Sequence, residues 1–278
     1  MNNSHTSFDM VSSLAPSMNA LNARFYQSQQ VSFSQTRHNR WPGWERCLEE
    51  CGLGEGAPTR QRLSVLDVAA GNLRFATFLS HTYAELPVFY RAIDFCPELA
   101  QGWQKPLAWD VQLKRMDVVG ALLDEKVCLD LCADAEPEGD SRSAGPFDLT
   151  VCFGFLHHVP TFAARVRLLD ALLAQTSREG SCCVSFWRFM EDESLAARAR
   201  QTTQEATREL GISPDDLGLG DYLLGWQNKP GVWRYCHHFS DEEIDALLAA
   251  SHARARARFE ADGRTGALNA YLVLQRTE

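Results

Sequence analysis

Between Leu63 and Leu79 the apolar positions change period. Leu63, Val65, Leu66 and Val68 form a short apolar run, the chain reaches Gly71-Asn72, and Phe75, Phe78 and Leu79 then follow at helical spacing. A strand, a tight turn and a helix in that order open a doubly wound α/β sheet. Further strands follow: Val88 to Ile93 closed by Asp94, Val111 to Met116 closed by Asp117, Phe147 to Phe155, and Ser181 to Trp187. The last is continuously apolar, as a parallel strand covered on both faces is. Pro97 and Pro106 leave room for only a short helix, whereas Thr161 to Gln175 and Asp192 to Leu210 read as full helices. Ser240 and Glu243 form a capping box for a helix through Ala249. The chain closes with a hairpin, Ala253 to Phe259 and Leu268 to Leu274 around Asp262-Gly263. The expected fold is therefore α/β, a doubly wound, seven-stranded, mostly parallel sheet with a C-terminal antiparallel hairpin.

Ahead of the sheet, residues 1 to 16 are polar and read as a flexible N-terminus. Ser17 to Val31 reads as a helix with Met18, Leu21, Phe25 and Tyr26 on one side, and a second helix ends near Cys51. Residues 17 to 52 form a helical cap, 53 to 278 the main domain, and 211 to 239 an insertion rich in Gly, Trp and Tyr. In the first arm of the hairpin Arg254, Arg256 and Arg258 alternate with alanine, which predicts one basic face.

Composition narrows the function classes. A length of 278 residues with 45% hydrophobic content suits one elaborated domain or two small ones. No apolar run is long enough to cross a membrane, and the N-terminus has neither the basic start nor the apolar centre of a leader. A cytoplasmic protein without a membrane partner is expected. The 9 cysteines are scattered without CxxC spacing, so they read as small core residues and no metal ligands are assigned. A net charge of −9 argues against a generally basic nucleic-acid surface and leaves room for a local patch.

In a doubly wound sheet the ligand sits at the carboxyl end of the first strand, where Asp67 lies. A dinucleotide needs three glycines so that its pyrophosphate can approach bare backbone. Only Gly71 is present, among Ala69, Ala70 and Leu73. S-adenosylmethionine carries no phosphate and needs less glycine, and its ammonium end calls for an acid such as Asp67. The stretch resembles the first motif of class I methyltransferases, D-x-G-x-G-x-G, with two of the three glycines absent. Asp94, closing the second strand, suits the ribose hydroxyls. Asp117 is the candidate for the adenine amino group, with Asp134 in CADAEPEGD as its rival. Ala69, Gly71, Asn72, Phe95, Val118, Phe153 and Phe155 complete the expected cofactor site.

Four short motifs carry a narrower resemblance. FSQTRHNRWP (Phe33 to Pro42), FGFLHHVPT (Phe153 to Thr161), DYLLGWQ (Asp221 to Gln227) and RYCHHF (Arg234 to Phe239) stand in the order found in the tRNA wobble-uridine carboxymethyl O-methyltransferases. The family includes a methyltransferase domain fused to an AlkB-type oxygenase. The resemblance implies methyl transfer to a carboxylate, a tRNA acceptor and, as for some relatives, a small zinc-containing activator subunit. A carboxylate is already ionised, so its enzyme needs positive charge and hydrogen bonds more than a base. Arg37, His158, Arg234 and Tyr235 are the candidates, with His238 as an alternative histidine and Trp41 and Trp226 as stacking surfaces. Two other readings stay open: a small carboxylate as acceptor, which the acidic charge favours, and a non-catalytic interaction protein that keeps the fold.

Overall fold

The computed structural model describes residues 9–35, 39–54, 56, 60–124, 126, 129–132 and 146–276. Strands β1 (Leu63–Val68), β2 (Val88–Asp94), β3 (Trp109–Arg115), β4 (Phe147–Cys152) and β5 (Thr176–Trp187) are parallel, and β8 (Ala253–Ala261) and β9 (Asn269–Arg276) add an antiparallel hairpin. The sheet order is β3-β2-β1-β4-β5-β9-β8, so the chain reverses direction of winding between β1 and β4. This is the seven-stranded α/β sheet that the apolar pattern predicts.

The inner strands bury both faces. On β1, Leu66 and Val68 pack on one side with α4 (Val118–Leu123), α5 (Phe162–Ala174) and α7 (Asp241–Ala250). Leu63 and Val65 pack on the other with α2 (Pro42–Glu50) and α3 (Arg74–Tyr83). The N-terminal helix α1 (Ala15–Gln35) is longer than its predicted span and packs Met18 and Leu21 against a separate hairpin, β6 (Asp221–Trp226) with β7 (Lys229–His237). That hairpin lies within residues 211–239, and α6 (Glu193–Leu210) supports it through Ala206. None of the described helices is long and apolar enough to cross a membrane.

Two expectations need correction. The fourth strand stops at Cys152 because Gly154 turns to φ +66°, letting the Trp41 ring sit where a Cβ would be. The three hairpin arginines do not share a face, because β8 bulges between Ala255 and Ala257. Past the bulge Arg258 pairs with Leu272 and turns toward α7, where Asp241 and Asp245 take its guanidinium.

The β6–β7 hairpin is fastened by a buried polar network. Arg165 of α5 donates to Glu243 of α7 at 2.7 Å and to the Tyr235 hydroxyl at 3.1 Å. Tyr235 donates to Asp221 at 2.7 Å, and His237 stands between Asp221 (2.6 Å) and Glu243 (2.7 Å). Removing one member leaves the others desolvated and uncompensated, which typically costs about 3–5 kcal/mol. Arg165→Met should therefore lower the urea-derived unfolding free energy by about that amount. A loss under about 1 kcal/mol would mean that the network contributes little.

Candidate active site

The carboxyl ends of β1, β2 and β4, with the residues just past β3, open on one cavity of about 1140 Å³ including its mouth. Every residue assigned to the cofactor from sequence lines it: Asp67, Ala69, Gly71, Asn72, Asp94, Phe95, Asp117, Val118, Phe153 and Phe155. From above it is covered by Asn19, Asn22, Ala23 and Tyr26 of α1 and by Trp41 and Trp44.

The turn after β1 keeps a glycine-type path without the glycines. Ala69, Gly71 and Leu73 have φ of 62°, 56° and 58°. For a residue with a Cβ the left-handed region costs roughly 1–2 kcal/mol. Bonds to the next strand hold it there: Ala69 N–H and Ala70 N–H donate to Ile93 O at 2.8 and 3.1 Å, and Gly71 N–H donates to Asp94 at 2.8 Å. Leu73 adds a side chain buried in the core.

Asp67 is 3% exposed and accepts from the Tyr90 hydroxyl at 2.5 Å. Among the described residues no cation pairs with it. Burial pushes its pKa up to about 7, against the pull of the Tyr90 bond and with a contribution from the Asp94 charge. Burial also raises Asp94, whose carboxylate accepts from Gly71 N–H and from Cys96 N–H at 2.7 Å. Asp117 caps α4 through Gly120 N–H at 2.8 Å and accepts from Asn19 at 3.0 Å. Its rival Asp134 lies outside the described residues.

The residues assigned to catalysis separate. His158 lines the cavity, with Nε2 2.7 Å from the Tyr26 hydroxyl. Arg234 is buried behind it, its guanidinium over the rings of Phe25, Trp187 and Trp226 at 5.4, 5.7 and 5.5 Å, and it interacts with Tyr26. Its Nε lacks a hydrogen-bond partner among the described residues. The Tyr235 ring points into the buried network instead of the cavity, while its peptide bonds to Asn22 and His158. Arg37 lies outside the described residues. His238 packs on Phe189 away from the cavity, and burial lowers its pKa to about 4. Trp41 lines the cavity, whereas Trp226 packs against Phe25 and donates to Ser32 at 3.1 Å.

Sequence reasoning missed Asn19, Asn22 and Tyr26. Their spacing by three and four residues beside the apolar stripe of α1 marks one helical face, and that was the available signal. It also missed Arg74, which begins α3, lines the cavity, and lies over the Trp41 and Trp44 rings at 5.0 and 5.4 Å.

Comparison with solved structures decides the fold. A SAM-dependent methyltransferase from Methanosarcina mazei superposes with a TM-score of 0.53 at 15% identity, over 79% of this chain and 95% of that one. The 1,6-didemethyltoxoflavin-N1-methyltransferase of Burkholderia thailandensis, with bound 1,6-didemethyltoxoflavin and S-adenosylhomocysteine, gives 0.54 at 15% identity, over 95% and 91%. A DhpI complex with SAM and HEP gives 0.55 at 13%, over 93% and 97%. The fold is that of the class I methyltransferases. No protein-family model and no curated protein matches the sequence.

Two measurements check this geometry. Ala69→Gly should raise the unfolding free energy by about 1 kcal/mol by relieving the left-handed alanine, and an unchanged or lowered value would refute the strain. Because the folded pKa of Asp67 exceeds its ordinary 3.8, its ionisation weakens the ligand-free fold as pH rises from there to about 7. The stability advantage of Asp67→Asn over wild type should therefore grow across that interval and level off above it. A difference independent of pH would place Asp67 in a more polar setting.

Proposed function

We propose that this chain is an S-adenosylmethionine-dependent methyltransferase whose acceptor is a carboxylate, carried on a modified wobble uridine of tRNA. The cavity fits the cofactor. Asp67 offers a buried negative charge, without a counter-ion among the described residues, to the cationic end. Asp94 spends one direction of each oxygen on backbone N–H groups and keeps lone pairs for two ribose hydroxyls. Gly71 leaves the turn open, with nothing within 4 Å of where a Cβ would stand. Asp117 and Asn19 supply polar groups for the adenine edge. When bound, the cofactor supplies a methyl group activated by its sulfonium.

The observation that carries the acceptor class is Arg234. It is a buried guanidinium surrounded by aromatic rings, with no carboxylate partner among the described residues, just behind Tyr26 of the cavity wall. Such a charge favours an anion brought close to it. The helix α1 and Trp41 line the site from above. The wobble uridine rests on the four motifs, and the same reading brings a small activator subunit and a cytoplasmic setting. A small carboxylate is the second reading. It is favoured by the net charge of −9 and by the ion pairs that occupy Arg258.

Label transferred from methyl-labelled cofactor into total tRNA, or into a panel of small carboxylic acids, separates the two acceptors. In either case the product is an ester, so mild alkali should release the label. Label that survives alkali would exclude the carboxylate. Arg234→Lys keeps the charge but loses the planar fork, and should lower kcat/KM by roughly tenfold. Undiminished turnover would remove Arg234 from acceptor recognition.

A further inference from the structure

Tyr26 and His158 meet on the cavity wall, and the far side of the imidazole settles which way their bond runs. Nδ1 of His158 lies 3.0 Å from the carbonyl oxygen of Tyr235, which only accepts. The Asn22 amide is fixed by the same residue: its Oδ1 accepts from Tyr235 N–H at 2.8 Å and its Nδ2 donates to Tyr235 O at 3.1 Å. Asn22 Nδ2 also lies 3.2 Å from Nδ1, but a bare Nδ1 would turn its lone pair on the Tyr235 oxygen. Nδ1 therefore carries the proton, and in the neutral ring Nε2 presents a lone pair to the Tyr26 hydroxyl at 2.7 Å.

His158 is 5% exposed, and Arg234 places a positive charge beyond Tyr26. Among the described residues, other titratable groups nearby include His157, with ring centres 4.1 Å apart, and Cys236, whose Sγ is 4.0 Å from Nδ1. Asp67 and Asp117 stand on other walls of the same cavity. A carboxylate acceptor has no proton to lose, so it leaves this base without work.

We propose a further activity for the cavity: methylation of an acidic hydroxyl, a phenol or an enol, with Tyr26 touching the acceptor and His158 taking the proton. It rests on the cofactor reading above but not on the carboxylate. The acceptor O–H gives its proton to Tyr26 Oη as the Tyr26 proton moves to His158 Nε2. The freed oxygen forms the new bond to the methyl carbon, and the carbon–sulfur bond breaks with both electrons on sulfur. The proton then leaves His158 for solvent, so a cationic sulfonium and a hydroxyl become a thioether, an ether and one proton. Arg234 favours Tyr26 Oη while that oxygen carries negative charge.

The probe is 4-nitrophenol, whose phenolate is seen by absorbance, titrated with full-length protein loaded with S-adenosylhomocysteine. Calorimetry on each variant ensures that only loaded protein is compared. Wild type should bind the phenol and raise its ionisation constant by about tenfold or more, one pH unit. Tyr26→Phe keeps the ring but not the hydroxyl and should lose most of that rise, as should His158→Gln. A rise that persists in both variants would assign it to the charge of Arg234 and overturn the base. Phenol that is not bound, or is bound un-ionised, overturns it too. Wild type that fails to take up S-adenosylhomocysteine would instead bring down the cofactor reading.

Discussion

At the end of β1 a carboxylate is buried opposite no cation among the described residues. Among the described residues Asp67 has the Tyr90 hydroxyl to share its charge, and the neighbouring Asp94 makes that charge harder to hold. Protein interiors rarely tolerate such a group unless something else pairs with it. Its position is set by the sheet order, because β1 and β4 part at the point where winding reverses. The Asp94 bond to Gly71 N–H then fixes the turn above it. Bonds to β2 hold the turn, and beneath it the cavity keeps a carboxylate with no cation beside it among the described residues.

The opposite wall depends on a different balance. Arg165, Asp221, His237 and Glu243 pair with one another in the interior, and so hold the β6–β7 hairpin on the main sheet. Tyr235 joins the two systems. Its hydroxyl belongs to that network, while its peptide groups orient Asn22 and His158 at the cavity. A residue expected to act with its side chain thus acts with its backbone, and α1 is docked in the register that brings Tyr26 to His158.

The inner strands were legible because both-face burial leaves near-continuous apolar runs, and the residues lining the cavity were legible because strand ends locate them. Counting glycines understated the turn: Ala69 and Leu73 adopt the same φ because tertiary bonds and a buried leucine hold them there. Alternation overstated the basic face of β8, since nothing in an Arg-Ala repeat marks the bulge that turns Arg258 toward Asp241 and Asp245. The separation of Arg234 from Tyr235 was hidden for a simpler reason. Adjacent residues on a strand point to opposite faces, so a shared motif does not mean a shared site.

Whether the unpaired charge of Asp67 exists to meet a cation is tested most directly by calorimetric titration with S-adenosylmethionine, at about pH 6 and about pH 8 in buffers of different ionisation enthalpy. With Asp67 near 7 in the free protein, binding at the lower pH should release a proton to the buffer, and affinity should be up to about tenfold tighter at the higher pH. An absence of binding would contradict the account. So would binding that exchanges no proton and is indifferent to pH, since the cofactor's cationic end would then lie elsewhere.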